Sequence, residues 1–566
     1  MKKIYLLLFI CFCLSTAYAQ NELSEDYHYE VSEPYKVYDA AKKYYFSKNR
    51  QILTIKPWKG YLVIQKFDVD GLTVISEKKY EDLPDNYTVE GMIELQEKYY
   101  FFYSSWSGRK TKHERLYYRE INFDSGEFKG DPVKLIDVPG KLAGSPMATY
   151  TTGMSFGNFG GFANFGGFGV TDKFDFLKSK DESKLLVQYR KKPEVKRDTK
   201  SFDIIGVNVF DVDLNTLWGN EYTMPYTERR MDLLDFAVDS GGYGYILAKV
   251  FHDDSNDDKK RKKDTEANYH IELFRLLDGS SNIGISKIAL DDKFINGISL
   301  FESSSNLMIC AGFYTNGLNN RLGNSDGLFT FKIDKEGSLI DKNSYEIPVE
   351  VLNQYVSNRT KKKIEKKDKK DKAEFADLKL RDLLINISDG SLILIGEQSF
   401  VVRHTTSKGR VYYTFHNNDM LISKIDTSGE LAWMKKLPKR QSGAPKLGQV
   451  YDTSKTYQGG MSYSHFFTNG NHYLVYLDNV KNIDLKLNEV PARHSDGHGG
   501  YLTAYKIDDV TGNVSKDNIF DTRNVGDKLE VHQFSNNRVV KTDENEFVIE
   551  FYKKKKEDVL IKVKIN

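Results

Sequence analysis

Along residues 419–437, Met420, Ile422 and Lys424 alternate with Leu421, Ser423 and Ile425; the chain then passes through Asp426-Thr-Ser-Gly429 and returns in an apolar run that ends at Leu437. Alternating runs on either side of a short polar segment predict a β-hairpin. The turn has a mechanism: the Asp side chain accepts backbone N–H groups, and Gly takes the positive φ that closes the loop. The same signature returns at Phe67-Asp-Val-Asp-Gly71, Ile121-Asn-Phe-Asp-Ser-Gly126, Val209-Phe-Asp-Val-Asp213, Phe274-Arg-Leu-Leu-Asp-Gly279, Phe331-Lys-Ile-Asp-Lys-Glu-Gly337 and Tyr505-Lys-Ile-Asp-Asp-Val-Thr-Gly512, which with the first makes seven turns.

A further apolar strand precedes each turn: Tyr61-Leu-Val-Ile64 for the first unit, then Tyr99-Tyr-Phe-Phe-Tyr103, Lys184-Leu-Leu-Val-Gln188, Tyr245-Ile-Leu-Ala248, Leu307-Met-Ile-Cys310, Leu392-Ile-Leu-Ile395 and Tyr473-Leu-Val-Tyr476. Shorter runs lie earlier still, as in Met92-Ile-Glu-Leu95, Leu234-Asp-Phe-Ala237 and Ile298-Ser-Leu300. Each unit therefore reads as four antiparallel strands. Four-stranded sheets at this spacing predict an all-β protein, a single β-propeller whose blades bury their faces against one another. The last segment supplies three strands and stops where the turn should be. Tyr27-His-Tyr-Glu-Val31 or Tyr35-Lys-Val-Tyr38 is expected to complete that blade, closing the ring by pairing N- and C-terminal strands and removing exposed edges. Seven turns plus this composite blade favour eight blades, with seven if the first unit is misread.

The hairpin Asp426-x-x-Gly429-x-x-x-Trp433, matched in part by Trp218 after Asp213, resembles the repeats of secreted bacterial β-propeller proteins, in particular quinoprotein-like blades. The resemblance implies the propeller fold. It does not imply the quinone, because the adjacent Cys pair and the dense acidic metal site associated with such enzymes are missing from this sequence, and no cofactor is expected.

Met1-Lys2-Lys3, an apolar run and Ala17-Tyr18-Ala19 have the segments of a secretory signal, so residues 1–19 are expected to be removed and residues 20–566 to form the propeller. Neither Cys11 nor Cys13 follows a small residue as a lipidation site requires. No later apolar run is long enough to span a bilayer. The remaining cysteine, Cys310, lies in an apolar strand and reads as a buried thiol. The 82 basic and 80 acidic residues nearly cancel, which argues against nucleic acid as a partner. A monomer in the periplasm or at the outer membrane is expected, and a carboxyl end used up in ring closure tilts location toward the periplasm over the cell surface.

Loops between second and third strands, and those between blades, emerge on one face of a propeller. The long insertions fall there: residues 104–115, 190–200, 252–268, 314–326, 399–416 and 478–499, and between blades 139–172, 351–376 and 439–459. Function is expected on that face. It is rich in cations, above all Lys259, Lys260, Arg261, Lys262 and Lys263, with Arg403, Arg410, Lys439, Arg440 and a Lys-rich insertion at 357–374. These read either as a surface that binds an anionic glycan or an envelope protein, or as solvated charge runs. Residues 153–169 repeat Asn-Phe-Gly-Gly-Phe and read either as an adhesive loop or, preferably, as a cover folded over the ring.

Two patterns carry candidate chemistry. Asp175, Asp235 and Asp382 occupy equivalent positions ten residues before a second strand. Converging in a channel they would act as acid and base of a carbohydrate-active hydrolase; the alternative is a repeat-derived acid that bonds the adjacent blade. His494-Ser-Asp496-Gly-His498 offers two imidazoles and a carboxylate, at a spacing that matches no strong zinc or copper pattern. No catalytic or metal site is therefore assigned, and the leading expectation is an exported binding or scaffolding module.

Overall fold

The computed structural model describes residues 23–38, 40, 43–58, 60–144, 173–192, 200–261, 266–277, 279–288, 293–303, 307–318, 323–386, 389–443, 461–495, 499–525, 530–533, 538–553 and 557–566. The expected signal, the Gly/Phe repeat at 153–169, Lys262, Lys263, Asp496 and His498 lie outside the described residues.

Eight sheets follow one another along the chain. Sheet one is Tyr44–Lys48, Gln51–Trp58, Tyr61–Asp68 and Val74–Tyr80. Sheet two is Tyr87–Leu95, Lys98–Trp106 and His113–Asn122, with an outer strand in two pieces, Glu127–Phe128 and Val133–Pro139. Sheet three is Phe174–Lys178, Leu185–Arg190, Phe202–Phe210 and Thr216–Thr227; sheet four is Met231–Val238, Gly244–Phe251, Tyr269–Leu276 and Ile283–Ile288. Sheet five is Phe294–Glu302, Met308–Thr315, Gly327–Ile333 and Leu339–Glu346; Cys310 is fully buried in its second strand. Sheet six is Leu378–Ile385, Leu392–Thr405, Val411–Ile425 and Leu431–Leu437, and sheet seven is Ser464–Thr468, Asn471–Asp478, Tyr501–Asp508 and Val514–Asp521. Sheet eight holds Val531–Gln533, Val539–Asp543, Glu546–Lys553 and Glu557–Ile565; on its outer side lie Tyr27–Val31, in register with the last five residues of that final strand, and Tyr35–Lys36, paired with Asp558 and Glu557.

The first unit differs from the sequence expectation. Tyr61–Asp68 is one unbroken third strand, and the second strand is Gln51–Trp58. Polar Gln65 and Lys66, between Tyr61-Leu-Val-Ile64 and the turn signature at Phe67, are both buried in the strand, where Gln65 bonds Glu77 and Lys66 reaches the carbonyl of Asp124 in the next sheet. Residues 399–416 likewise are not a loop. The second and third strands of sheet six run on past the blade as a two-stranded ribbon from Ser399 to Thr405 and Val411 to Asn417.

Apolar clusters join the sheets pairwise in chain order. Leu53 and Ile55 of sheet one pack with Tyr99 and Phe101 of sheet two; Phe102 packs with Phe174 and Val187, Val207 with Ile246, and Leu247 with Phe294 and Cys310. Phe313 then packs with Leu394, Ile422 with Tyr476, and Val475 with Phe547 and Ile561. An eighth cluster sets Ile52 and Phe67 of sheet one against Val548 and Leu560 of sheet eight.

The Asp-Gly turns add a second device. Asp426 Oδ1 accepts from the N–H of Glu430 at 2.9 Å, and Gly429 has φ +92°. The returning strand then sends Trp433 across to the following sheet, where its indole N–H donates to the carbonyl of Asp509 at 2.9 Å and its ring lies on Gly512. Trp218 of sheet three repeats this, donating to Gly242 O at 2.8 Å and lying on Gly279 of sheet four.

Where the two ends of the chain meet, a charge cluster is sealed from water. Glu550 Oε1 accepts from Lys43 Nζ at 2.6 Å and the Tyr45 hydroxyl at 2.7 Å; Oε2 accepts from Tyr35 at 2.7 Å and from Lys56. Asp558 takes a second bond from Lys43 at 3.1 Å, and Arg538 lies within 4.0 Å of both acids. Burial raises the Glu550 pKa, yet Lys43, Lys56 and Arg538 more than offset it and hold the carboxyl well below its ordinary value.

Two outcomes follow for stability. A Cβ on Gly512 would sit 2.7 Å from Trp433 Cγ, whereas Gly470, with a similar φ of +69°, has nothing within 4 Å. Thermal unfolding of Gly512→Ala is expected to show a loss of about 3 kcal/mol against about 1 kcal/mol for Gly470→Ala; equal losses would mean that the indole contact contributes nothing. For Glu550, a depressed folded pKa gives stability that is present above the unfolded value of about 4.3 and lost as pH falls through the folded value. Glu550→Gln is expected to cost about 3 kcal/mol at neutral pH and to flatten the acid limb of stability below about pH 4, read by urea unfolding across that range.

Candidate ligand pocket on the insertion face

The insertions of sheets four to seven touch in succession. Lys259, from residues 252–268, donates to the carbonyl of Gly317 and lies 4.9 Å over the Phe294 ring. Asn324 reaches Glu374 at 3.0 Å, and Ser325 bridges to Phe375, which ties 314–326 to the insertion before sheet six. That insertion carries the helices Val349–Leu352 (α1) and Asn358–Asp368 (α2), the second with no buried side chain, as a Lys-rich sequence dictates. Tyr355 N–H then donates to Leu487 O at 2.6 Å, and Lys436 Nζ to Gln354 O at 2.8 Å. These contacts make one continuous surface.

Within it lies a cavity of about 180 Å³. Tyr355, Ser357 and Thr360 form one wall; Ser357 is the N-cap of α2 and accepts from Thr360 N–H at 3.3 Å, so the helix opens its N-terminal turn on the cavity. The first N–H groups of any helix have no intrahelical acceptor, and its dipole favours negative charge there. Gln398, Asn418 and Asp419 come from the inner end of the sheet-six ribbon, Lys439 and Arg440 from the exit of that sheet, and Val490 and Pro491 from the sheet-seven insertion.

Lys439 is not the surface cation the sequence suggested. It is fully buried, and its ammonium is spent on Glu397, Gln441 Oε1 at 2.9 Å and Asn417 O at 3.2 Å. Burial pulls its pKa down, against the attraction of Glu397. Burial also pushes the Glu397 carboxyl up, but Lys439 and Arg381 prevail and keep it below its ordinary value. Glu397 accepts from Arg381 Nε at 2.8 Å and from Ser462 at 3.1 Å, so this ion network fixes the cavity floor to sheet seven. Arg440 is exposed, with Nη1 3.4 Å from Pro491 O. Asp419 faces Lys436 at 3.2 Å and Lys439 N–H at 3.1 Å. Asn418 Oδ1 is buried and has no hydrogen-bond donor among the described residues.

The other sequence candidates are scattered. Lys260 and Arg261 are exposed on the sheet-four insertion. Arg403 stands exposed on the ribbon opposite Tyr413, and Arg410 at its tip. Asp235 is buried and bonds the next sheet through Ser299 Oγ at 2.9 Å and Leu300 N–H at 2.8 Å; burial outweighs these donors and pushes its pKa up to about 6. Asp382 accepts from Tyr463, just ahead of sheet seven, at 2.6 Å, and Asp175 from Gln188 of its own sheet at 3.3 Å. None of the three lines the cavity. His494 is buried in the short strand His494–Ser495, which runs parallel to Gln441–Gly443. Among the described residues no group of three or more His, Cys, Asp or Glu is placed to hold a metal ion. Tyr355, Gln398 and Asn418 escaped the sequence reading because none belongs to a charged run; only the polar triplet Asn417-Asn418-Asp419 ahead of an apolar strand hinted that this stretch leaves the core.

No known protein family and no curated protein matches the chain. Solved structures that it resembles include a prolyl endopeptidase (8% identity, TM-score 0.35, 93% of this chain and 55% of that one), so the chain spans little more than half of that protein. Others are the WD40 domain of SCAP from fission yeast (7%, TM-score 0.34, 96% and 99%) and the β-propeller domain of the Trilobed protease from Pyrococcus furiosus (10%, TM-score 0.28, 72% and 97%). The chain is all-β, built of repeated antiparallel sheets of four strands, the architecture of the β-propeller class.

Replacing Lys439 by Met leaves Glu397 buried with Arg381 as its remaining cation. Lys439→Met is expected to lose about 3 kcal/mol in urea unfolding at neutral pH; a loss under about 1 kcal/mol would show that the network does not hold the floor.

Proposed function

We propose that the mature chain is an exported, non-enzymatic binding or scaffolding β-propeller of the cell envelope, and that its insertion face recognises an anionic glycan or protein surface. Its eight sheets are then blades of one ring, closed by Tyr27–Val31 against Glu557–Ile565; the eighth apolar cluster, between sheets eight and one, supports this. The observation that carries the functional reading is the joining of the insertions of four successive sheets into one surface with a polar cavity and exposed cations. The signal-like start of the chain supports export, to the periplasm or the outer membrane, and no helix among the described residues is long and apolar enough to cross a membrane. The protein acts as a monomer, without nucleic acid or cofactor. The reading as a hydrolase with channel carboxylates has less behind it, because Asp235 commits one oxygen to the next sheet at Ser299 and Leu300, and Asp382 one oxygen to Tyr463 just ahead of sheet seven.

Binding of an acidic polysaccharide to the intact protein is expected to weaken roughly tenfold when salt rises from about 0.05 M to about 0.5 M. Neutralising Lys260, Arg261, Arg403 and Arg410 together to Gln is expected to weaken it by about as much at low salt. Affinity indifferent to both changes would remove the electrostatic reading.

A further inference from the structure

The ribbon of sheet six carries an open sheet edge. The first strand of that sheet pairs with the second only as far as Gln398, and beyond it Ser399 to Thr405 have a strand partner only across the ribbon, among the described residues. The Ser399 N–H points away from that partner, to Asp377 O at 2.9 Å. By the alternation of an antiparallel ladder, the N–H and C=O groups of Val401, Arg403 and Thr405 point the same way, a row of backbone groups at strand spacing. Two strands alone are marginal in water, but one face of this pair is stiffened. Phe400 stacks on His416 at 4.7 Å and His404 on Tyr412 at 4.8 Å, while Thr414 Oγ1 lies 2.8 Å from His404 Nε2 and 2.9 Å from His416 Nε2. The opposite face shows Val401, Arg403, Val411 and Tyr413 to solvent. The edge is thus held in strand form before anything pairs with it.

Charge decides what fits that edge. From Gln398 to Asn418 the chain has no acid, while Arg403, Lys408 and Arg410 are exposed. A second copy of the ribbon would set like charges against one another, which opposes self-pairing. We infer that this edge binds an extended acidic segment of a partner protein by taking it up as an added β-strand: the segment's backbone pairs with Val401, Arg403 and Thr405, and a carboxylate on its solvent face pairs with Arg403. Main-chain bonds then supply affinity, and the side chains on the exposed face supply the choice of partner. The inference rests on the reading of the insertion face as a surface for anionic partners and commits it to a protein, because a glycan offers no row of amides at strand spacing.

The test uses the intact mature protein and calorimetric titration with a peptide of alternating glutamate and valine, its fully N-methylated counterpart of equal charge, an alternating lysine and valine peptide, and oligogalacturonate. The acidic peptide is expected to bind, with roughly tenfold weaker binding of the N-methylated and of the lysine forms. Val401→Pro removes an N–H that no bond within the ribbon uses, and is expected to weaken the acidic peptide by about as much with an unchanged melting temperature. Arg403→Gln is expected to weaken the acidic peptide roughly threefold and to leave the lysine peptide unweakened. Equal binding of the acidic peptide and its N-methylated form overturns the inference, a result read on the unaltered protein and so independent of how the proline is tolerated. Equal binding of the glutamate and lysine peptides overturns the acidic partner. If every anionic probe binds, indifferent to N-methylation and to Val401→Pro, while neutralising Lys260 and Arg261 weakens binding, the edge assignment fails and the anionic-surface reading stands. Oligogalacturonate binding more tightly than the acidic peptide overturns the added strand in favour of a glycan, and failure of every anionic probe to bind overturns both readings.

Discussion

A carboxylate without access to water, Glu550, holds two ammonium groups and two phenols where residues from opposite ends of the chain come together. Each of these groups alone would be costly to bury, so Lys43, Lys56, Arg538 and the acids must arrive together or not at all. Oily side chains in the adjoining cluster would tolerate a slipped register; a carboxylate that needs four donors does not. The cluster thus selects one pairing of the terminal strands among those the apolar pattern allows, and the packing of sheet eight against sheet one depends on that choice.

The two faces divide the labour. On the side of the Asp-Gly turns, Trp218 and Trp433 lock a sheet to the next through an indole hydrogen bond and a glycine that leaves room for the ring. On the other side, longer segments are tied down through their backbone carbonyls, Gly317 O by Lys259 of the preceding insertion and Gln354 O by Lys436 of a sheet-six strand. The frame is thus fixed on the side of the turns, and the long connections are the part left to vary. Buried pairs such as Glu397 with Lys439 carry that rigidity up to the cavity floor.

Much of the fold was legible because strand period and turn chemistry are local. The hairpin at 419–437 reads directly into Leu431–Leu437 paired with Met420 through Ile425. The first unit was misassigned because buried Gln65 and Lys66 look like a break until their partners in the neighbouring strand and sheet are seen. The ribbon beyond Ser399 escaped because its strands leave the core and lose their one-sided pattern. The cavity was not legible: Tyr355, Asn418 and Pro491 are far apart in sequence, and only the meeting of two insertions gives them a common purpose.

The ribbon of sheet six has a consequence of its own. It grows out of strands whose lower halves are fully hydrogen-bonded within the blade, so changes at its tip, around Thr406 and Gly409, need not be felt by the packed layers beneath. Such an outgrowth is a natural place to splice foreign peptides, and the protein offers itself as a carrier for displaying them above a rigid base.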